Sequence, residues 1–230
     1  MTTETLKGYR FVTDDLESQH GDTQWEIGKW QKCEGEVSLC RNGFHGSQKP
    51  IDSLSYVFGT RWFECEAKGD ILKDTDKFCA SGMRLVREIP KKVLQQFAID
   101  CAWRVLHIFE EKYPDDKRPR QAIEAARAYL QNPCEENRAA ADAARAAADA
   151  ADAAAYAARA ADAAAYAARA AAYAARAAYA ARAAYAAAYA ARAADAAYAV
   201  ADAARAAYAA ERKWQNKHLL NLIKKECDDN

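Results

Sequence analysis

The stretch "NGFHGS", residues 42–47, brings two side chains that could do chemistry close together. His45 and Ser47 stand between glycines in a predicted loop, where functional groups are often exposed. A serine nucleophile needs a neighbouring base that a third group orients. Neither an aspartate nor a second histidine stands at a spacing that suggests such a triad, so the sequence gives little support to nucleophilic catalysis.

Four residues of the same region have side chains that can bind zinc: Cys33, Cys40, His45 and Cys65. Structural zinc sites usually place their first two cysteines two to four residues apart. Here six residues separate Cys33 from Cys40. Buried thiols in a small core explain these cysteines equally well, so we expect neither a metal nor a cofactor.

A further pattern combines Arg10, Ser47 and the pair Glu64 and Glu66. Their order resembles that of arginine-directed ADP-ribosyltransferases, and the resemblance implies an NAD-handling enzyme in which a glutamate orients the nicotinamide ribose and the substrate. Ser47 and Glu66 are closer in sequence than that fold usually allows. Alternating glutamates on the solvated face of a strand are the commoner explanation. The candidates of the N-terminal region are therefore Arg10, His45, Ser47, Glu64 and Glu66.

Short segments of the first ninety residues must position these side chains. In "TRWFECEA" (60–67), Phe63, Cys65 and Ala67 alternate with the two glutamates, which is the period of a half-buried strand. "KPIDSLSYVFG" fits a short helix, with a proline near its start and a glycine just beyond its end. Aromatic and β-branched residues predict strands at 9–12, 24–30, 35–40, 60–67 and 83–89.

Two amphipathic helices are predicted next. The segment between Pro90 and Pro114 carries apolar residues at helical spacing over about six turns. The second helix has Pro119 in its first turn and ends before Pro133. The residues expected to face a core are Leu94, Phe97, Ala98, Cys101, Val105, Ile108, Phe109, Ala122, Ile123, Ala126 and Leu130.

An alanine-rich tract follows, with 50 alanines among residues 138–210 and neither glycine nor proline. Alanine is the best helix former, so the tract predicts helix. From Asp142 to Tyr208 a larger residue recurs on average every 3.3 residues, which is short of the roughly 3.6 residues of a helical turn. The larger residues therefore form a stripe along the helix surface. With this period the stripe winds around a straight helix in the left-handed sense. We therefore predict a left-handed curled helix or close-packed helical hairpins.

The larger residues of the tract are mostly Tyr, Arg and Asp at helical neighbour distance. These side chains could form a solvated stripe in which neighbours make ion pairs and cation–π contacts with one another. Alternatively, the stripe binds a partner, because Tyr and Arg are enriched in binding hot spots. Single-stranded nucleic acid also suits Arg and aromatic residues, although the interspersed aspartates weigh against it. The partner-binding candidates are Tyr173, Arg176, Tyr179, Arg182, Tyr185, Tyr189 and Arg192.

Together these patterns predict an α+β chain with an all-α alanine-rich element. The predicted parts are a small α+β domain (1–90), two linking helices (91–133), the helical repeat (134–210) and a capping helix (211–230). The last part has an apolar face that includes Trp214, His218 and Leu219. We expect it to cover the exposed end of the repeat, as terminal units of repeat proteins do.

Charge and cysteine content limit the possible partners and the cellular location of the protein. The chain carries 33 basic and 33 acidic side chains, so bulk electrostatic binding of nucleic acid is not expected. The alanine-rich tract is interrupted by polar residues too often to cross a membrane. The seven cysteines have no compact spacing pattern, which is typical of reduced thiols in a cytoplasmic protein. The opening segment also lacks the pattern of a secretion signal. We predict a soluble cytoplasmic protein.

Three segments, "GFHGSQKPIDSLSY", "YPDDKRPRQAIEAARAYL" and "ERKWQNKHLLNLI", resemble phage and bacterial proteins labelled immunity proteins. In that family a small domain with a GFH-type loop precedes an alanine-rich region. The resemblance implies a part in phage–host or inter-bacterial conflict, where small proteins commonly act by binding. We therefore expect a non-enzymatic inhibitor or immunity-type binder of a protein partner, which uses the Arg/Tyr stripe, the GFH loop of the small domain, or both. The alternatives are a nucleotide- or NAD-handling enzyme and a nucleic-acid-binding repeat.

Overall fold

The computed structural model describes residues 5–19, 23–143 and 201–228, with the backbone alone for residues 201–207 and 228. A five-stranded antiparallel sheet precedes the helices, which confirms the predicted α+β class. The two ends of the alanine-rich tract, residues 138–143 and 201–210, are helical. The predicted curled helix or hairpins lie outside the described residues.

Contacts group the chain into two compact units. We call Met1–Pro90 with Ile223–Asn230 the sheet unit, and Lys91–Leu222 the helical unit. The four-part division drawn from the sequence stays a prediction.

The strands of the sheet unit are β1 (Leu6–Val12), β2 (Gln31–Lys32), β3 (Phe44–Gly46), β4 (Arg61–Lys73) and β5 (Phe78–Ile89). Their order is β1-β4-β5-β2, and β3 also pairs with β5. A four-residue helix, α1 (Pro50–Ser53), and a 3-10 turn (Leu54–Tyr56) lie between β3 and β4.

A bridge between β1 and the residue that follows β3 closes β1, β4, β5 and β3 into a ring. The Tyr9 N–H donates to the Ser47 carbonyl at 2.8 Å, and the Ser47 N–H donates to the Tyr9 carbonyl at 3.0 Å. Glycine is required beside this bridge, because a Cβ at Gly8 would lie 2.6 Å from Cε1 of Phe78 and one at Gly46 would lie 2.8 Å from its Cζ. The ring therefore places Arg10 of β1 near His45 of β3.

The interior of the ring is the core of the sheet unit. Phe63, Cys65 and Ala67 are buried and alternate with partly exposed glutamates along β4, which confirms the strand period predicted from the sequence. The buried cluster comprises Val12, Trp25, Phe44, Phe63, Cys65, Ala67, Phe78, Ala80, Met83 and Leu85.

Two predicted strands and one predicted loop were wrong. Residues 24–30 and 35–40 are mostly irregular, each with one short turn and a single bridge residue, Gln24 and Ser38 respectively. Their aromatic and β-branched residues contribute side chains to the core and do not form strand pairs. Trp25, for example, is buried with its ring 5.1 Å from that of Phe44. Conversely, part of the predicted "NGFHGS" loop is strand β3.

The helical unit contains α2 (Lys91–Lys112), α3 (Arg118–Gln131), a helical segment at 135–143 and the part of α4 (Ala201–Asp228) up to Leu222. Both predicted amphipathic helices are confirmed, including the proline in the first turn of α3. Of the residues expected to face a core, Val105, Ile108 and Leu130 are only half-buried. The buried ones are Leu94, Phe97, Ala98, Cys101, Phe109, Ala122, Ile123 and Ala126.

Candidate functional site

The sheet unit contains a cavity of about 730 Å³. β1 contributes Arg10, β3 contributes His45, and Ser47 follows β3 directly. Sequence reasoning selected these three residues separately, and the strand ring brings them to one cavity. Its volume lies within the range of roughly 300–1,000 Å³ that is common for small-molecule sites.

Arg10 extends its guanidinium over the ring of Trp25, with Cζ 4.9 Å from the ring centroid. Its Nη1 donates to the His45 carbonyl at 2.7 Å, and its Nη2 donates to Ser18 Oγ at 2.9 Å. Ser18 Oγ also accepts the indole N–H of Trp25 at 2.9 Å. Burial lowers the pKa of Arg10 to about 10, so the group is still charged at neutral pH.

The lining of the cavity is positive. Among the described residues that line it are Arg10, Lys32, Arg41 and Lys77, and none of the described lining residues is an aspartate or glutamate. Lys77 Nζ lies 3.2 Å from the thiol of Cys40. The arrangement therefore concentrates cationic charge at one opening of the sheet unit.

His45 is held by backbone groups of the preceding turn. Its Nε2 accepts the Cys40 N–H at 2.9 Å, which requires that nitrogen to be unprotonated. Desolvation and, next, the charge of Arg10 lower the pKa of His45. In this arrangement the Nε2 lone pair is engaged, so it is not available to activate Ser47.

Ser47 is only 1% exposed, and its Oγ has no hydrogen-bond partner within the described part of the chain. The Nε of Arg10 is likewise buried without a partner there. Both residues line the cavity, but Ser47 pairs with Tyr9 across the bridge, so its side chain is on the opposite face of β1 from that of Arg10. A serine–base arrangement is not formed by the described residues.

The two glutamates do not join this cavity. In the pairing of β1 with β4, Arg10 lies opposite Phe63, whereas Glu64 lies opposite Tyr9 and Glu66 opposite Lys7. Since side chains alternate between faces, the glutamates are on the other face from Arg10. The Arg, Ser, Glu-x-Glu constellation of the ADP-ribosyltransferase alternative is therefore not assembled.

On that other face each glutamate pairs with an arginine of β5. Glu64 lies 3.1 Å from Arg87 Nη2, and Glu66 lies 2.6 Å from Arg84 Nη2. These cross-strand pairs give the glutamates a structural role, as the strand alternation suggested.

The four candidate zinc ligands do not form a cluster. No group of three or more histidine, cysteine, aspartate or glutamate residues with metal-binding geometry occurs in the described ranges. Cys65 is buried in the core, and burial raises its pKa to about 12, so this thiol is not a ready metal ligand. All seven cysteines are free thiols.

The helical unit contains a polar cluster that sequence reasoning missed. His218 Nε2 of α4 lies 2.7 Å from Asp100 Oδ2 of α2, and the His218 ring stacks on Trp214 at 4.9 Å. Arg104 lies 4.3 Å over the Trp214 ring and 2.7 Å from Glu211. The i,i+4 spacing of Trp214 and His218 indicated a shared helix face, but nothing in the sequence identified Asp100 as the partner.

An exposed aromatic side chain lies on the same unit. Trp103 of α2 is 37% exposed, and Arg120 and Arg127 of α3 lie over its ring at 4.9 and 4.7 Å. Arg120 is itself held by Glu110 through two hydrogen bonds of 2.7 Å. The result is a fixed tryptophan–arginine surface.

The stripe candidates, Tyr173, Arg176, Tyr179, Arg182, Tyr185, Tyr189 and Arg192, lie outside the described residues. So does the contact expected between α4 and the end of the repeat.

Two family models match overlapping parts of the chain. Residues 84–222, more than half of the chain, match the family model described as "Imm-5 like putative immunity protein". The chain belongs to this Imm-5-like family. Residues 6–96 match the model of a domain of unknown function (DUF7666). Neither a curated protein nor a solved structure gives a significant match.

The family match confirms the immunity-protein part of the resemblance drawn from the sequence. It includes α2, α3, the alanine-rich tract and most of α4, whereas the cavity lies in the unassigned N-terminal domain. In the described ranges, no helix combines the length and apolar character that a membrane span needs.

Proposed function

We propose that this Imm-5-like protein acts by binding a protein partner and blocking it, without catalysing a reaction. The observation that carries the proposal is the family match over residues 84–222. The cavity of the sheet unit supports the non-enzymatic part, because His45 Nε2 is engaged by Cys40. The glutamates of the enzyme alternative are engaged by arginines on the other sheet face.

Two surfaces are proposed to contact the partner. The first is the Arg/Tyr stripe of the repeat, which includes Arg176, Tyr179 and Arg182. The second is Trp103 with Arg120 and Arg127. Tryptophan, tyrosine and arginine are the residues most enriched in binding hot spots, and the arginines hold the tryptophan ring in one orientation before binding.

Affinity capture tests this proposal. The full chain serves as bait in bacterial lysate, beside an alanine triple variant (Arg176→Ala, Tyr179→Ala, Arg182→Ala) and a conservative triple variant (Arg176→Lys, Tyr179→Phe, Arg182→Lys). We expect the wild type and the conservative variant to retain one protein that the alanine variant loses, with equal helicity by circular dichroism.

Full capture by the alanine variant would remove the stripe from the interface, and Trp103→Ala then tests the second surface. If both variants capture as the wild type does, these surfaces are not the interface. If the wild type enriches no protein above an unrelated alanine-rich helical bait, the binding function itself is wrong.

A further inference from the structure

A cysteine and a lysine from distant parts of the sheet unit meet at the cavity. Lys77 Nζ donates to Cys40 Sγ at 3.2 Å, and both residues line the cavity. Cys40 is exposed, whereas three of the other cysteines are half-buried and three are buried. An amine and a thiol are therefore in direct contact at a place that small solutes can reach.

The turn that carries Cys40 is fixed by its own hydrogen bonds. Ser38 and Asn42 exchange two backbone bonds of 2.9 and 3.0 Å, and the Cys40 N–H donates to His45 Nε2 at 2.9 Å. Cys40 has a φ of 62°, which residues other than glycine adopt only where the surroundings impose it. The thiol is thus held on one side of a rigid turn.

Lys77 is held from the other side, at the tip of the hairpin formed by β4 and β5. The Asp74 N–H donates to the Lys77 carbonyl at 2.8 Å and closes this tip. Lys77 Nζ also lies 5.2 Å from the centroid of the Tyr56 ring. The bond with Cys40, followed by the charges of Tyr56, Cys40 and Asp76, raises the pKa of Lys77, so the amine must release a proton before it can act as a nucleophile.

This pair has the reactivity that an oxidisable thiol needs. The thiolate is the reactive form of cysteine, and a neighbouring cation favours it. Oxidation gives a sulfenic acid, which condenses with a nearby thiol or nitrogen. Burial raises the pKa of Cys65 to about 12 and that of Cys79 to about 11, so these thiols react poorly. Lys77 Nζ, in contrast, already touches the Cys40 sulfur.

We propose that Cys40 and Lys77 form a redox-sensitive covalent switch, in which a hydroperoxide is the oxidant. In the first step the Cys40 sulfur takes one oxygen from the hydroperoxide. The O–O bond breaks, the sulfur loses two electrons to the peroxide, and water or an alcohol is released with the sulfenic acid.

In the second step the neutral Lys77 amine attacks the sulfur of the sulfenic acid. An S–N bond forms, the S–O bond breaks, and the oxygen leaves as water with one proton from the nitrogen. Two equivalents of a thiol reductant return the cysteine and the amine and become a disulfide themselves, so the switch is reversible.

The cross-link has two consequences for the sheet unit. It joins the turn at residues 38–42 to the hairpin tip, and a cross-link of this kind restricts the unfolded chain and stabilises the folded one. It also removes the positive charge of Lys77 from the cavity lining. Neither consequence depends on the surfaces proposed for the protein partner.

Mass spectrometry of the full chain tests the proposal. The reduced protein is treated with hydrogen peroxide at pH 8.5, where more of the lysine is neutral. We expect the main product to be lighter than the reduced chain by two hydrogens. Peptide mapping should show the segment that contains Cys40 joined to the segment that contains Lys77, and dithiothreitol should restore the original mass.

Variants then identify the two atoms. Lys77→Arg keeps the charge but removes the amine, so it should stop at the sulfenic acid, which dimedone traps, and the cross-linked fraction should fall at least about tenfold because no other amine is held at the sulfur. Cys40→Ser should give neither product. Lys73→Arg, in the same hairpin, is the matched control and should cross-link as the wild type does.

Thermal unfolding adds a second measurement. The midpoint of the wild type should rise by several degrees after oxidation and return after reduction, whereas the midpoint of Lys77→Arg should not rise.

A reduced mass that peroxide leaves unchanged would overturn the proposal. So would first oxidation at another cysteine, a disulfide of Cys40 with Cys33 or Cys79, or equal cross-linking of the wild type and Lys77→Arg. The alanine triple variant of the stripe should cross-link as the wild type does, so this experiment succeeds or fails separately from partner capture.

Discussion

At the scale of single residues, two buried serines of the sheet unit differ in one respect. Ser53 makes two hydrogen bonds, whereas Ser47 Oγ makes none with any described residue. A buried polar group without a partner costs about 1–3 kcal/mol, and a satisfied hydrogen bond contributes about 1 kcal/mol. The structure thus tolerates an unfavourable hydroxyl at the cavity.

The same substitution should therefore act in opposite directions at these two positions. We expect Ser47→Ala to leave the unfolding free energy unchanged or to raise it by about 1 kcal/mol, because no bond is lost. Ser53→Ala should lower it by about 1–3 kcal/mol, because the indole N–H of Trp62 loses its acceptor. Thermal unfolding without added ligand measures both, and a Ser47→Ala loss as large as that of Ser53→Ala would show that Ser47 is stabilising after all.

His45 gives a prediction about pH. Its pKa is lowered in the folded protein, first by desolvation, whereas an unfolded histidine titrates near about 6.5. Below that pH the unfolded state binds more protons than the folded state, so the stability is complete above about pH 6.5 and is lost as the pH falls. Protonation also breaks the bond from the Cys40 N–H to Nε2.

We expect His45→Gln to flatten this pH dependence, because its amide oxygen can accept the Cys40 N–H without titrating. Thermal unfolding midpoints of the wild type and the variant, measured between pH 5 and pH 8, make the comparison. The wild type should lose more stability than the variant on acidification. Parallel pH profiles would mean that His45 does not contribute to the acid sensitivity.

At the scale of elements, the sequence predicted the strands and helices in which buried and exposed residues recur with a regular period. The alternation in β4 and the helical spacing in α2 and α3 were visible, because each element buries one side of itself. β2 and β3 are two and three residues long and exist through pairing with β5. Long-range pairing of this kind leaves no local pattern in the sequence. Strands were instead predicted at residues 24–30 and 35–40, because these segments contain aromatic and β-branched residues.

The candidate site was predictable in part for the same reason. Arg10, His45 and Ser47 were chosen by residue type, and the strand ring brings them together. Whether a glutamate of β4 faces the same side as Arg10 depends on the register of β1 against β4. A shift of one residue would reverse that outcome. The alternation in β4 predicted the solvated face for its glutamates, but the pattern of β1 alone does not show which face Arg10 takes. Nothing in the sequence identified the carbonyl of His45 and the hydroxyl of Ser18 as the partners of Arg10.

The contact between α2 and α4 gives a prediction at this scale. Asp100 and His218 are partly buried and 2.7 Å apart, while Asp100 also accepts from Gln96 at 2.8 Å. In a double-mutant cycle with Asp100→Asn and His218→Gln, we expect a coupling energy of about 0.5–1 kcal/mol, since partly exposed pairs lie at the lower end of measured values. Thermal unfolding supplies the four stabilities.

The pair formed by Arg104 and Glu211, which is more exposed on the arginine side, is the matched control for this cycle. Its coupling should be smaller than that of Asp100 with His218. A coupling energy near zero for Asp100 with His218 would mean that the stacking of His218 on Trp214, and not the contact with Asp100, fixes α4 against α2.

At the scale of the whole molecule, the two family matches overlap over residues 84–96, which contain the end of β5 and the start of α2. The predicted domain boundary at residue 90 falls inside this overlap. The cavity belongs to the N-terminal match, and the surfaces proposed for the partner belong to the Imm-5-like match.

The most direct test of the immunity function is a growth assay with the captured partner. The partner is expressed under an inducible promoter in bacteria, with the wild-type chain, the conservative triple variant or the alanine triple variant present at equal levels. We expect the partner to arrest growth and the first two chains to restore it, while the alanine variant does not. A partner that arrests growth equally with and without the wild-type chain would contradict the account.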